Sequence, residues 1–315
     1  MLYWREGTQP KEVGSVKKCV VILAVGLLLG LGAVAQETYI VASDIPWAPF
    51  EMVNEAGEFL GFDLDLMRAI AHVAGFQIEI KNIAFDAIIE NVRTGRADIG
   101  ASGFTITAER ERVVDFSIPY FLSNQAVLVR KDSGLNIVTA LAGLGPNKAV
   151  GAQNGTTGFY WVEDNLQAAG IDIELKGYET YPAAILDLVN GRVDAVIQDE
   201  PASMASIAAY PDVLTVAGII NTNEYFGFLV AEGDPHGLLP RFNQALNELG
   251  LTVRELPGGI QELVIEEGSF IDGLMDIYFG PDLDEVTAAW GKCKDLLLAG
   301  DLTGYIQCMK AELGL

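Results

Sequence analysis

One run of the sequence combines a fixed cation with hydroxyls and a flexible main chain: Ser102-Gly103-Phe104-Thr105-Ile106-Thr107-Ala108-Glu109-Arg110. The guanidinium group of Arg110 can hold a carboxylate by two parallel hydrogen bonds, and a glycine lets a ligand approach the backbone closely. The run follows a predicted strand at 97–101, so it lies just past the carboxyl end of that strand. The pattern indicates a carboxylate-binding site. The alternative is a surface arginine paired with Glu109 or Glu111.

A turn with anion-binding character follows farther along the chain, Asn154-Gly155-Thr156-Thr157-Gly158, between a predicted strand at 149–152 and a predicted helix at 159–166. The first backbone N–H groups of a helix have no partner within it, and they favour negative charge. Together with the threonine hydroxyls they can hold an anion. The alternative is that Thr156 or Thr157 is an ordinary helix N-cap.

The opposite charge and an aromatic wall come from three further residues. Asp199 ends a predicted strand and suits a ligand ammonium group; the alternative is an N-cap for a helix that begins near Pro201. Trp47 and Phe85 can enclose an apolar or planar side chain. The alternative for both is core packing, which we favour more for Phe85, because Trp47 lies in a proline-flanked turn that we expect to be exposed. A cation, an anion and an aromatic wall are what an α-amino acid zwitterion requires.

The elements that must position these residues alternate between strand and helix, which predicts an α/β sheet. In chain order the pattern predicts a strand at 39–42, a helix at 63–74, a strand at 78–80, a helix at 86–94 and the strand at 97–101. A weak internal repeat relates residues 85–98 to residues 181–194, because in both an aromatic residue lies ten positions before a glycine. Each copy reads as a helix ended by glycine and followed by a strand. Ligands of such sheets lie beyond the carboxyl ends of strands, so two lobes of this kind would form a cleft.

Two extended segments, 125–130 and 225–230, are candidates for the connection between lobes. We therefore predict a first lobe of residues 37–128 plus 227–315, which includes a C-terminal helical extension, and a second lobe of residues 129–226. Paired crossover strands make a hinge, because a few backbone dihedrals can close the cleft.

The N-terminal residues predict export. Lys17 and Lys18 precede an uncharged apolar stretch, which ends with the small-x-small pattern Ala33-Val34-Ala35. This is the layout of a signal peptide at 1–35, cleaved near Ala35, and it predicts secretion across the inner membrane into the periplasm. The alternative is a retained membrane anchor. The formal net charge of −23 opposes binding to nucleic acid, and we expect a monomer.

The cysteines fit an exported protein. The chain has three cysteines and two histidines, and Cys19 lies in the leader. The remaining pair, Cys293 and Cys308, predicts a disulfide that joins the last helices. No spacing typical of a metal site occurs, and we predict no cofactor and no metal.

With these residues the sequence resembles the family-3 periplasmic solute-binding proteins, the polar amino-acid receptors of ABC transporters. The resemblance covers roughly residues 38 to 235 and resumes weakly at 267–280. It rests on Pro49-Phe50, Gly61-Phe62-Asp63-Leu64-Asp65, the run 102–110, Gly155-Thr156-Thr157 and the segment 191–199.

The resemblance implies a type II periplasmic-binding-protein fold: two lobes, each a mixed sheet flanked by helices, joined by two crossover strands. It implies an amino acid ligand, a membrane permease as partner and no catalysis. It further implies roles for ten residues. They are Arg110, Thr105, Thr156 and Thr157 for the ligand carboxylate, Asp199 and Ser102 for the ammonium group, and Asp44, Trp47, Phe85 and Gly103 around the ligand side chain.

The sequence departs from the family pattern in three places: a longer stretch at 248–266, an extension at 281–315, and Gly158 where some receptors of cationic amino acids have a polar residue. Asp44 could cap its local turn instead of contacting a ligand. Two other functions stay open. One is an exported enzyme resembling cyclohexadienyl dehydratases, with Glu200 as the acid; the other is a sensing module that reports an amino acid to a membrane kinase.

Overall fold

The computed structural model describes residues 36–141, 148–258 and 260–315, and residues 38–315 cluster as one compact unit. The predicted signal peptide, residues 1–35, lies outside the described residues. In chain order the strands are β1 (Thr38–Ser43), β2 (Met52–Val53), β3 (Phe59–Leu60), β4 (Gln77–Asn82), β5 (Ile99–Gly100), β6 (Val114–Phe116), β7 (Phe121–Arg130), β8 (Ala149–Gln153), β9 (Glu174–Tyr178), β10 (Ala195–Asp199), β11 (Leu214–Phe226), β12 (Leu229–Ala231), β13 (Leu251–Leu256) and β14 (Ile260–Ile265).

The α-helices among the described residues are α1 (Phe62–Ala74), α2 (Phe85–Arg93), α3 (Ile137–Leu141), α4 (Thr157–Val162), α5 (Tyr181–Val189), α6 (Glu200–Ala209), α7 (Leu238–Glu248), α8 (Phe270–Tyr278), α9 (Leu283–Leu298) and α10 (Leu302–Leu313). No helix in the described part of the chain is long and apolar enough to cross a membrane.

Two five-stranded mixed sheets form the framework. The first has the order β4-β1-β5-β12-β6, and the second has the order β11-β7-β10-β8-β9. In the first sheet β1 runs parallel to β4 and β5, while β12 runs antiparallel to both β5 and β6. In the second sheet β8 is parallel to β9 and β10, while β7 is antiparallel to β10 and β11. The predicted α/β class is confirmed.

Glycine ends the helices that precede the two central strands, as the repeat predicts. Gly95 follows α2 and Gly191 follows α5, and both have a positive φ, 69° and 71°. At such a φ a side chain is strained, so a glycine reverses the chain cheaply. The following residues then enter β5 in one copy and β10 in the other, and their carboxyl ends carry the runs that contain Ser102 and Asp199.

The chain passes between the two sheets at residues 117–120 and at residues 227–228. β7 and β11 pair with each other from Phe121↔Phe226 to Arg130↔Leu214. β7 thus belongs to the second sheet from Phe121 onward, whereas the sequence analysis placed residues up to 128 with the first sheet. Its apolar run fits either sheet equally well, and only the pairing partner decides between them.

The C-terminal residues pack on the first sheet's side through α1. The stretch that departs from the family pattern, 248–266, contains the hairpin of β13 and β14. The extension forms α9 and α10, which are joined by a disulfide between Cys293 and Cys308 with an S–S distance of 2.02 Å. The predicted disulfide is confirmed.

A buried carboxylate ties these helices to α1. Asp65 is fully buried and accepts hydrogen bonds from the hydroxyls of Tyr278 and Tyr305, at 2.5 and 2.6 Å, and from the indole N–H of Trp290 at 3.1 Å. These donors belong to α8, α10 and α9. The guanidinium group of Arg68 supplies the countercharge at 2.7 Å. A buried charge is tolerated when it is paired and hydrogen-bonded, so Asp65 fixes the extension to the first sheet's layer.

Candidate functional site

A cavity between the carboxyl ends of the two sheets brings all ten predicted ligand residues together. It is narrow. Its cavity volume is about 10 Å³, which is room for roughly one water molecule. Its wall consists of Asp44, Trp47, Phe85, Ser102, Gly103, Thr105, Arg110, Gln153, Thr156, Thr157, Tyr181 and Asp199.

The guanidinium group of Arg110 is buried in this wall. It donates to the carbonyl oxygen of Thr105 at 2.8 Å and to that of Gly155 at 3.1 Å, and it lies over the rings of Phe85 and Phe104 at 5.6 and 5.3 Å. Within the described residues no carboxylate oxygen lies within 4.0 Å of it. The alternative of a surface ion pair with Glu109 or Glu111 is therefore wrong, because the side chain turns inward.

Burial lowers the pKa of Arg110 to about 10, and the negative charges of Glu224 and Asp199 oppose that shift. The group keeps its proton at neutral pH. A buried guanidinium with both of its bonds to neutral carbonyls still lacks a full countercharge. A carboxylate from a ligand would supply one.

Hydrogen bonds to Asp44 and Asp63 fix the positions of Ser102 and Gly103. The hydroxyl of Ser102 accepts the backbone N–H of Asp44 at 3.1 Å. The backbone N–H of Gly103 donates to Asp63 at 2.8 Å, so this N–H is already used within the protein. Gly103 has a φ of 54°, and a Cβ atom here would lie 2.3 Å from the ring of Trp47. Only glycine fits at this position.

The turn before α4 combines capping with cavity lining. The hydroxyl of Thr156 accepts the backbone N–H of Phe159 at 3.2 Å and donates to the carbonyl of Gln153 at 2.8 Å. The alternative of an ordinary N-cap is thus correct for the Thr156 side chain, although the residue also lines the cavity. The hydroxyl of Thr157 instead contacts the carboxylate of Glu224.

Asp199 is 6% exposed and immediately precedes α6, yet its side chain makes no capping bond to that helix. Its Oδ1 atom has no hydrogen-bond partner among the described residues. Burial, and next the nearby charge of Glu224, raise the pKa of Asp199 to about 8. An ammonium group beside Oδ1 would satisfy the unpaired oxygen and reverse the shift.

Asp44 faces Gln153 across the cavity. The amide of Gln153 donates to Asp44 at 2.6 Å and to the carbonyl oxygen of Glu179 at 2.7 Å. Burial raises the pKa of Asp44 to about 6; the bond from Gln153 lowers it, and the charge of Asp86 raises it. Asp44 therefore bonds across to the second sheet rather than capping its own turn through this oxygen.

The two aromatic residues differ from expectation in one respect. Trp47 is buried, at 9% exposure, so the prediction of an exposed turn is wrong. The turn folds back, with the N–H of Trp47 donating to the carbonyl of Glu51 at 2.7 Å, and the indole stacks on Phe50 at 4.8 Å. Phe85 stacks on Phe104 at 4.5 Å and packs within the core, as the alternative for it proposed, while also lining the cavity.

Sequence reasoning missed several residues around the cavity. Gln153 and Tyr181 line it, and Glu224 reaches the hydroxyls beside it. Glu224 left a readable signal, since it is the one charged residue of the segment 214–226. Tyr181 left one too, because the internal repeat aligns it with Phe85. Gln153 gave none, because an amide at the end of a strand is common.

Hydrogen bonds connect the first sheet's loops with the second sheet's elements, among them Arg110 with Gly155, Asp44 with Gln153, and Thr105 with Glu224. The described conformation is thus closed. Glu200, the acid named for an enzyme, does not line this cavity; it lies in an adjoining groove with α6 and residues 278–284, which shares Trp47 and Tyr181 with the cavity. Among the described residues no group of three or more His, Cys, Asp or Glu side chains could hold a metal ion.

Comparison with known proteins identifies the class. Residues 39–252 match the family model described as bacterial extracellular solute-binding proteins, family 3. An arginine-binding periplasmic protein of Mannheimia haemolytica is 34% identical over 202 residues, which cover 64% of this chain and 79% of that protein. A putative ABC transporter arginine-binding protein 2 of Escherichia coli K12 is 31% identical over 236 residues, covering 74% and 93%.

The fold comparison agrees. The solved structure of an ancestral arginine-binding protein bound to arginine superposes with a TM-score of 0.65 at 31% identity, covering 78% of this chain and 99% of that one. This confirms the predicted two-lobed periplasmic-binding-protein fold with a mixed sheet in each lobe. The chain belongs to the bacterial extracellular solute-binding proteins of family 3.

Proposed function

We propose that this receptor binds one free α-amino acid with a basic side chain, L-arginine first among the candidates, in the cavity between its lobes, and delivers it to the permease of an ABC transporter. The cavity contributes one guanidinium group and the carboxylates of Asp44 and Asp199, with Glu224 beside them. A ligand of net charge +1 balances this excess of acids better than a neutral zwitterion does. The relatives named for arginine support the same class.

Arg110 would hold the α-carboxylate. Its guanidinium group is buried and bonded only to neutral carbonyls within the described residues. Thr105, Thr156 and Thr157 surround the same end of the cavity, and the N-terminus of α4 adds backbone N–H groups there. The Thr156 hydroxyl contributes by holding the turn, since it is already used as the N-cap.

Asp199 would hold the α-ammonium group, and this assignment rests on the observation that carries the proposal. Its Oδ1 atom is buried and has no partner among the described residues, and Asp199 lines the same cavity as Arg110. A buried polar atom left without a hydrogen bond costs about 1–3 kcal/mol. A donor that arrives with the ligand removes this cost. Ser102 lies in the same wall and offers its hydroxyl oxygen.

Asp44, Trp47 and Phe85 would enclose the side chain, with Gly103 allowing close approach. Trp47 carries an indole N–H without a partner among the described residues, and Asp44 has a pKa of about 6 that a neighbouring cation would lower. A guanidinium or ammonium side chain fits a carboxylate beside aromatic faces.

Ligand-driven closure would couple binding to transport. We assign the first lobe to 38–116 and 229–315 and the second to 121–226, because the strands of each range pair only within one five-stranded sheet, apart from the two-stranded pairs β2-β3 and β13-β14. The crossovers at 117–120 and 227–228 then serve as the hinge. The narrow cavity requires the lobes to separate before a ligand enters, and the side-chain hydrogen bonds between them re-form or are replaced on closure. The receptor acts outside the cytoplasm after cleavage near Ala35.

A thermal-shift screen of the twenty amino acids tests the proposal, since a ligand bound only by the folded state raises the melting temperature. Basic amino acids should give the largest shifts. Calorimetry then gives the stoichiometry, expected to be one ligand per chain. The absence of a shift with every amino acid would refute the proposed function. No observation favours the enzyme or the sensing module, and Glu200 lies outside the cavity.

A further inference from the structure

Glu224 lies at the end of the strand that leads to the hinge. The pairing of β7 with β11 shifts register between Ile220 and Glu224, and Asn223 has a φ of 53°. Such a bulge redirects the side chains that follow it. Here the carboxylate of Glu224 points inward and is 7% exposed.

The loop that carries Arg110 is attached to the same segment. The N–H of Ile106 donates to the carbonyl of Tyr225 at 2.8 Å, and the N–H of Gly227 donates to the carbonyl of Phe104 at 3.0 Å. These bonds place Thr105 beside Glu224. The contact between the two side chains therefore follows from the backbone pairing.

Glu224 accepts hydrogen bonds from both threonine hydroxyls on this side of the cavity. Thr105 donates to its Oε2 atom at 2.7 Å, Thr157 donates to the same atom, and Gln125 donates to Oε1 at 3.0 Å. A threonine hydroxyl has a single hydrogen. While these bonds persist, neither hydroxyl can donate to a ligand carboxylate, although both line the cavity.

The negative charge of Glu224 also acts on Arg110. It is the largest of the charges that support the proton on Arg110, ahead of Asp199, yet it lies beyond ion-pair distance from that guanidinium group within the described residues. Arg110 thus remains open to a carboxylate from outside, while the two hydroxyls are occupied. A ligand carboxylate placed between Arg110 and the two hydroxyls would lie beside the negative charge of Glu224.

We propose that Glu224 is an internal competitor of the ligand. Its carboxylate accepts the hydroxyls of Thr105 and Thr157, which would otherwise donate to the ligand carboxylate, and it lowers the affinity for every ligand that carries an α-carboxylate. This inference rests on the proposed function. A receptor that must release its ligand to a permease benefits from such a moderating group. Glu224 is then an affinity-setting residue that needs no contact with the ligand side chain.

Two ligands that differ only in the carboxylate isolate this effect. The first is the amino acid with the largest thermal shift and the second is the amine formed by its decarboxylation; for L-arginine the amine is agmatine. Calorimetry gives both dissociation constants for the parent protein and for Glu224→Gln. Removal of the negative charge weakens the binding of both ligands, because both are cations. The readout is therefore the dissociation constant of the amine divided by that of the amino acid, which reports the contribution of the carboxylate alone.

The ratio should rise at least about tenfold in Glu224→Gln, because the like charge beside the ligand carboxylate is gone and the neutral amide oxygen competes less strongly for the two hydroxyls; tenfold corresponds to about 1.4 kcal/mol. Glu111→Gln removes an exposed carboxylate one residue from Arg110 and should leave the ratio unchanged. If Glu224→Gln fails to fold, Glu224→Asp withdraws the carboxylate by one methylene and should raise the ratio less.

An unchanged or lower ratio in a folded Glu224 variant overturns the inference and makes the group a structural clasp of the closed form. That result leaves the proposed function intact, since the parent protein still binds the amino acid. Failure of the parent to bind any amino acid refutes the proposed function itself, and with it the competitor assignment.

Discussion

The carboxylate of Asp63 accepts the backbone N–H of Gly103 at 2.8 Å, and this bond joins helix α1 to the loop that carries Ser102 and Arg110. The same oxygen atom of Asp63 accepts the hydroxyl of Tyr120 at 2.6 Å. Asp63 is fully buried, and burial raises its pKa to about 6 while these two donors lower it. The loop conformation that presents Ser102 and Arg110 is thus fixed by an acid that never meets the ligand.

Arg110→Ala should weaken amino acid binding by about 30- to several-thousand-fold. Loss of one partner of a buried charge pair costs roughly 2–5 kcal/mol, at about 1.4 kcal/mol per tenfold. Isothermal titration calorimetry measures the change. Arg112→Ala, which removes an exposed arginine two residues away, is the matched control and should bind as the parent does. Equal affinity of Arg110→Ala and the parent would contradict the carboxylate assignment.

Binding should release a proton from Asp199. In the free protein its pKa is about 8, so at pH 6 to 7 the group is mostly neutral, and an ammonium ligand favours the ionised form. Affinity should therefore rise with pH, by up to about tenfold per unit below pH 8, and level off above it until the ligand's own ammonium group loses its proton. Titrations in buffers of different ionisation enthalpy count the protons.

Asp199→Asn is the control for that pH dependence. The amide cannot ionise, so the slope between pH 6 and pH 8 should disappear. The affinity at pH 8 should fall by roughly ten- to a hundredfold, as expected for one lost hydrogen bond between charged groups at about 1.5–3 kcal/mol. A slope that persists in the variant would assign the proton to another group, with Asp44 the next candidate to replace.

Gly103→Ala should damage both stability and binding. The added methyl group meets the indole of Trp47 at 2.3 Å, and the positive φ adds strain. Gly134 has a φ of 66° with open space around it, so Gly134→Ala carries the backbone cost alone, about 1–2 kcal/mol. Urea unfolding should show the larger loss for Gly103→Ala, and only that variant should lose affinity. Similar losses in both variants would mean that the tryptophan moves aside.

The free energy of unfolding should decline less with rising pH in Glu51→Gln than in the parent protein. Both carboxyl oxygens of Glu51 are buried without partners among the described residues, and burial next to Asp63 raises its pKa well above the ordinary 4.5. The folded protein thus keeps a proton that the unfolded chain releases. The stabilisation from that proton is complete below about pH 4.5 and declines as pH rises towards the folded-state pKa.

The neutral amide of the variant cannot ionise, which removes this decline. Unfolding free energies at pH 5, 7 and 9 should converge between the variant and the parent, or cross, as pH rises. Glu55→Gln, at an exposed position, should follow the parent throughout. A constant offset between Glu51→Gln and the parent would show that Glu51 is already ionised in the folded state.

Replacement of Cys293 and Cys308 by serine should lower the free energy of unfolding by about 3 kcal/mol, the value expected for a closed loop of about fifteen residues. Amino acid affinity should not change, because Asp65 and its donors hold the extension independently of the disulfide. Urea unfolding and calorimetry measure the two effects. A change in affinity would indicate that the extension reaches the cavity.

Strand ends and charges were predictable from the sequence, and side-chain direction was not. Periodicity and glycine stops placed α1 and β4 within two residues, and the runs at 102–110 and 154–158 led to one cavity. The burial of Trp47 was missed, because the turn's hydrogen bond to Glu51 is set by tertiary packing.

The roles of residues that act through a partner could not be predicted. Glu224 is conspicuous as the one charged residue of its segment, but its role depends on the pairing of residues 104–106 with 225–227, which are far apart in the chain. The transfer of β7 to the second sheet has the same cause. An apolar strand does not reveal its neighbours, because the hydrogen bonds of a ladder are made by the backbone and not by the side chains.

A crystal structure of the receptor with bound L-arginine tests the central claim most directly. The α-carboxylate should lie within hydrogen-bonding distance of both terminal nitrogens of Arg110, with the α-ammonium group within about 3 Å of Asp199 Oδ1. A ligand bound in the reverse orientation, or outside the cavity in the groove beside Glu200, would contradict it.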